Sequence, residues 1–164
     1  MTIPATPKAQ LVFSGTTYAA AAPLAGLSLT IDDFIVICIH ANNISGAITN
    51  TTSGITFTEE IAEGGLASHH YALLSRVITQ ADVDLETAVG SYTWNISGTV
   101  PWTIIVQVWS GVDTASPWEI SPSAATRSRV LDSSSTVIAP TMTTTTPGAM
   151  GLVFAMVDHN NTDF

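Results

Sequence analysis

The chain is short of cysteine, of basic residues, of charge in general and of long apolar runs, and each scarcity removes a class of function. Its only cysteine, Cys38, allows no intrachain disulfide, so the fold must stand on its core alone. Flanked by Phe34, Ile35, Val36, Ile37 and Ile39, that residue is expected to be a buried small hydrophobe rather than a reactive thiol. Lys8, Arg76, Arg127 and Arg129 are the only Lys and Arg residues against a formal net charge of -9. Such a chain has no basic patch to neutralise phosphates, which argues against nucleic acid and against an anionic membrane surface as partners. No apolar run approaches the ~18 residues of a membrane-spanning helix.

Catalytic signatures are missing as well. There is no G-x-S-x-G elbow, no H-E-x-x-H pair, no phosphate-binding glycine loop and no C-x-x-C. Glu59, Glu60 and Glu63 cluster, but strand neighbours point to opposite faces, so they read as a solvated acidic loop end rather than a glycosidase pair. His69 and His70 diverge for the same reason. The tail with Asp158, His159, Asn160, Asn161 and Asp163 offers oxygen ligands yet lacks the glycine and bidentate glutamate of an EF-hand loop. A polar turn is the expectation there, with no metal and no cofactor anywhere in the chain. The alanine-rich residues 19–25 resemble a signal-peptide cleavage region, but Pro4, Pro7 and the polar residues 14–17 interrupt any continuous apolar segment before them.

What the chain does have is apolar and hydroxyl-bearing. Aliphatic and aromatic residues make up 46% and charged residues 10%, so Ser, Thr and amides must cover the surface. Threonine favours strands, while the scarce Lys, Glu and Arg are what solvate helices, and the balance leans to β. A length of 164 residues suits one domain, 1–164, with a core large enough to need no staple.

Periodicity agrees. Residues 34–39 form a β-branched run suited to a strand buried on both faces, and residues 68–78 form a longer strand. In residues 90–97, Tyr92, Trp94 and Ile96 alternate with Ser91, Thr93 and Asn95; in residues 102–109, Trp102, Ile104, Val106 and Val108 alternate with Thr103, Ile105, Gln107 and Trp109. These two segments are expected to pair as a hairpin across the turn at residues 98–101, burying Trp94 and Trp102 and exposing Asn95 and Thr103. Further strands are expected at 10–13, 26–31, 55–60, 135–138 and 149–157, and one helical turn at 79–83, with Thr79 as cap and Asp82 three residues on. The sum is an all-β fold, an antiparallel β-sandwich of jelly-roll-like kind.

Two tryptophans fall outside the core pattern. Trp109 lies on the alternate face of its strand beside Gly111, and Trp118 falls in the long Ser-, Pro- and Ala-rich stretch 111–130. They are the candidate contacts for a sugar ring or a protein partner, against the alternative that they pack the loop onto the sheet.

Residues 91–98 (SYTWNISG), the Trp/Ile/Val strand after them, residues 109–117 (WSGVDTASP) and residues 133–155 (SSSTVIAPTMTTTTPGAMGLVFA) together resemble a β-sandwich domain of bacteriophage structural proteins and some bacterial surface proteins. The resemblance runs from about Ile31 to Val157 and is most specific at Gly111, Val112, Asp113 and Pro117. It implies a virion or surface module with no catalytic residues to transfer. The chain departs from it in the insertion-like residues 84–89 and in ending at Phe164, where such domains usually run on. It is therefore expected either to be an excerpt, the N-terminal part of a longer chain, or to complete its sandwich differently.

The resulting expectation is a non-catalytic phage virion protein, displayed as a capsid decoration or head fibre, or on the tail as a fibre or spike. Its partners would be other virion proteins and further copies of itself. The Thr-rich residues 141–146 carry no charge to discourage edge pairing, and fibre and decoration proteins commonly form cyclic assemblies, which suggests a trimer. The alternative is a carbohydrate-binding module or lectin-like adhesin on a cell surface or in the extracellular space, taking a host surface glycan on Trp109 or Trp118. A β-sandwich hydrolase of cell-wall glycans lacks an acid and base pair.

Overall fold

In a computed structural model of the chain, the described residues are 6–42, 47–66, 69–118 and the single positions Thr143, Thr145, Ala149, Leu152 and Phe154. They form eight strands and one helix: β1 (Ala9–Gly15), β2 (Ala19–Pro23), β3 (Phe34–Asn42), β4 (Thr49–Asn50), β5 (Thr58–Leu66), β6 (His69–Val77), α1 (Gln80–Thr87), β7 (Ser91–Asn95) and β8 (Trp102–Trp109). Every pairing is antiparallel, in a five-stranded sheet ordered β1-β8-β3-β6-β5 and a three-stranded sheet ordered β2-β7-β4. The all-β, sandwich-like class read from the periodicity is the class observed. The expected strands at 135–138 and 149–157 and the acidic tail lie outside the described residues or touch them only at single positions.

The core lies between the two sheets, and alternation decides what enters it. Ile35, Ile37, Ile39 and Ala41 of β3 point inward with Ile104, Val106 and Val108 of β8, to meet Ala20, Ala22, Tyr92 and Trp94 from the smaller sheet. Trp94 and Trp102 are buried as expected, while Asn95 and Thr103 are half-buried rather than exposed. The second face of β3 is covered too, with Phe34 and Val36 buried beside Trp109. A middle strand with two buried faces reads as a continuous apolar run, which is how it stands in the sequence.

The expected hairpin between β7 and β8 does not form. β7 pairs with β2 in the smaller sheet, and β8 lies between β1 and β3 in the larger one. The two segments β1–β2 and β7–β8 run side by side as one antiparallel ribbon that bends from one sheet into the other. Two features put the bend at residues 96–101: Gly98 takes φ 144, a value open to glycine, and Pro101 has no N–H for a ladder. The burial that drives it is plain. In a flat hairpin Tyr92, Trp94, Trp102 and Ile104 would crowd one face and need a separate lid, whereas on opposed sheets they cover one another. At the bend, Ile96 N–H donates to the Tyr18 carbonyl at 2.8 Å, and Trp102 Nε1 donates to the Thr17 carbonyl at 3.1 Å.

Two other expectations are corrected. Residues 26–31 are loop, although Leu27 and Leu29 alternate and are buried. The backbone N–H groups of Ser28 and Leu29 donate to the Glu86 carboxylate, each at 2.7 Å, so they serve no sheet ladder. β5 begins at Thr58 rather than at Ile55, and Ile55 is buried ahead of it.

The helix at 79–83 is present and longer, as α1. Thr79 N–H donates to Asp82 Oδ2 at 2.9 Å, the cap expected from the spacing. Residues 84–89, which read as an insertion, are the rest of α1 and its close. There Val89 N–H reaches the Glu86 carbonyl and Gly90 N–H the Leu85 carbonyl, at 2.9 and 2.8 Å.

Candidate functional site

Trp109 and Trp118 come together on the outer face of the five-stranded sheet. Trp109 ends β8 directly across from Phe34 and is only 3% exposed; its indole N–H finds no acceptor among the described residues. Trp118 returns over the sheet after residues 110–117 and sets its ring edge-on to Phe34, centroids 5.5 Å apart at 78°. Its Nε1 donates to Glu60 Oε1 at 2.9 Å, and the same oxygen accepts from Ser75 Oγ at 2.5 Å. Leu73, Val77, Val112, Leu152 and Phe154 pack against this cluster. The two tryptophans thus hold the chain after β8 against the sheet.

Glu60 changes reading accordingly. It is not part of a solvated loop end but the β5 residue left unpaired at the register shift between Glu59 and Ile61, and its carboxylate accepts from Ser75 of β6.

Three further carboxylates hold the elements together. Asp82, fully buried, accepts from Arg76 Nη2 at 2.8 Å and from the Tyr92 hydroxyl at 2.7 Å, joining β6 of one sheet, β7 of the other and α1 between them. Burial, together with this bond to a carboxylate, raises the Tyr92 hydroxyl well above the ordinary phenol range. Arg76 also donates to the Thr56 carbonyl at 2.7 Å and lies over the Phe57 ring, 5.6 Å from its centroid. Asp33 accepts from Lys8 Nζ at 2.6 Å, from Thr30 N–H at 3.0 Å and from Ser110 Oγ at 2.9 Å, which pins the ends of β1, β3 and β8. Glu86 fixes residues 28–29 to α1, as above.

Thr30 with Asp33 and Thr79 with Asp82 are each three residues apart, and the second is the one read from the sequence. Lys8 and Asp33, or Arg76, Asp82 and Tyr92, carry no periodic signal, because the contact is made by the sheet order and not by neighbours in sequence. Cys38 lies buried on the outer face of β3, and desolvation pushes its thiol up to about 12. No group of three or more His, Cys, Asp or Glu side chains among the described residues is placed to hold a metal ion, and no described helix is long and apolar enough to cross a membrane.

Compared with known proteins, the chain matches no family model, no curated protein and no solved structure.

Proposed function

We propose that this chain is a non-catalytic building block of a bacteriophage particle surface, a capsid decoration or head fibre, or a tail fibre or spike component, that associates with copies of itself and with other virion proteins. The observation that carries the reading is the occupancy of its carboxylates. Asp33, Asp82 and Glu60 each accept bonds from donors on separate segments, and Glu86 accepts two from the adjacent residues Ser28 and Leu29, so these ionisable groups act as staples at the joints of the sandwich. Carboxylates engaged in this way join segments of the fold, which suits a part that bears load. The acidic, hydroxyl-rich surface and the resemblance carried by residues 91–98 and 109–117 support the same setting.

The test is localisation on particles. Antibody raised against the chain, applied to phage particles purified from the source by density gradient, should place gold label on their exterior. Mass spectrometry should find the chain at a constant ratio to the major capsid protein across the particle band. A chain found only in the soluble fraction, or lost from the band at moderate salt, would refute the reading.

A further inference from the structure

Among the described residues the two sheets have four edges, which differ in how they are closed to other strands. In the larger sheet the edges are β1 and β5, in the smaller β2 and β4. β5 breaks register with β6 twice, between Glu59 and Ile61 and again between Glu63 and Leu66, and it carries acidic residues. Bulges and charge are what bar an edge from pairing. β4 has two residues, and β2 ends on Pro23. β1 is different. It has seven residues, pairs with β8 with no shift of register, and contains no proline and no charged side chain. Alternate residues of an antiparallel strand turn N–H and C=O away from their partner, and among the described residues no second strand pairs with those of β1.

β1 is also complementary to itself. Turned end for end about Val12, Leu11 falls opposite Phe13, Gln10 opposite Ser14, and Ala9 opposite Gly15. Large apolar meets large apolar, amide meets hydroxyl, and small meets small. The faces agree, since residues directly opposite in an antiparallel pair share a face. Ala9, Leu11 and Phe13 lie partly buried at the rim of the core, where a second rim would close over them, while Gln10, Val12 and Ser14 are exposed on the other side. Val12 is 59% exposed, one of few large apolar side chains so placed among the described residues.

Charge selects the same strand. Two copies bearing a net charge of -9 repel, and an uncharged strand is where they approach at least cost. Lys8, at the head of β1, is already neutralised by Asp33 at 2.6 Å.

We propose that β1 is the edge through which two copies of this chain join, pairing antiparallel about a two-fold axis at Val12 and merging their five-stranded sheets into one. The proposal rests on the self-association stated above and gives it a surface and a symmetry. An isologous contact of this kind closes a dimer; a three-fold ring would require two different edges.

The experiment uses the full chain. Light scattering at micromolar concentration should give a dimer, and Val12→Lys should reduce it to a monomer with an unchanged circular dichroism spectrum. Register is read by cross-linking with a short bismaleimide, which the buried Cys38 does not answer. Val12→Cys should link to itself. Gln10→Cys and Ser14→Cys should each fail alone and link when mixed. These cysteine variants decide the matter even where Val12→Lys does not fold. A monomeric wild-type chain overturns both this proposal and self-association. An oligomer that survives Val12→Lys, or Gln10→Cys linking to itself, overturns the β1 contact and leaves self-association standing.

Discussion

Trp102 fills the space that a side chain at Gly15 would need. The two residues face each other across β1 and β8, and a Cβ built at Gly15 would stand 2.5 Å from Trp102 Cζ2. The bend of the ribbon begins at this pair, with Trp102 donating to the Thr17 carbonyl just beyond it.

Gly15→Ala should therefore destabilise the protein by about 1–3 kcal/mol through overpacking. Trp102→Ala should cost about 3–5 kcal/mol. The double variant should cost less than the sum, since the alanine moves into the volume the indole leaves. Urea denaturation of the three variants checks this. Strict additivity would mean that the two residues do not compete for the same space.

The Asp82 tie should show as unequal losses. Tyr92→Phe keeps the edge-on contact with Phe57, at 5.0 Å between centroids, and removes only the hydroxyl bond. It should cost about 1.5–3 kcal/mol, the range for a hydrogen bond to a charged group. Asp82→Asn strands the Arg76 charge, whose side chain is only 12% exposed, and should cost about 3–5 kcal/mol. Equal losses from the two would place the cost in the shared Tyr92–Asp82 hydrogen bond and not in the buried charge.

Stability should fall on the alkaline side. The Cys38 thiol is held neutral to about 12 against an ordinary value of 9.0. Below pH 9 the thiol is protonated in both states and contributes nothing to the pH dependence. Above it the unfolded chain alone gives up the proton, so stability declines by about 1.4 kcal/mol per pH unit up to the folded value. Tyr92, raised in the same direction, adds its own decline at higher pH. Cys38→Ala should flatten the curve between pH 9 and 10, where the cysteine acts first. An identical slope in that variant would show that the thiol ionises in the folded state.

Trp118 separates the structural role from glycan binding. Trp118→Phe retains a ring against Phe34 and loses the bond to Glu60, and it should lower stability by about 1–2 kcal/mol. A glycan array probed with the wild-type chain should show no saturable binding. Saturable binding that disappears in Trp118→Ala, with the fold retained, would establish the adhesin reading in place of the particle one.

The sequence by itself determined which side chains face inward, because strand alternation is a property of neighbours. Tyr92, Trp94 and Ile96, then Trp102, Ile104, Val106 and Val108, enter the core as their spacing requires, and the uncharged β3 is buried on both faces. It also determined the start of α1, since a cap needs only Thr79 and Asp82 three residues apart. Only the tertiary structure decided which strands are neighbours. β7 found β2 rather than β8, because opposed sheets bury two rows of large side chains against each other where a hairpin would leave them on one face. The same choice explains the alanines of β2: Ala20 and Ala22 pair with Trp94 and Tyr92, and small side chains there leave room for large ones beside them. Residues 27 and 29 alternate like a strand and are loop, because the carboxylate that takes the neighbouring backbone donors belongs to Glu86, a residue brought near by folding and not by sequence.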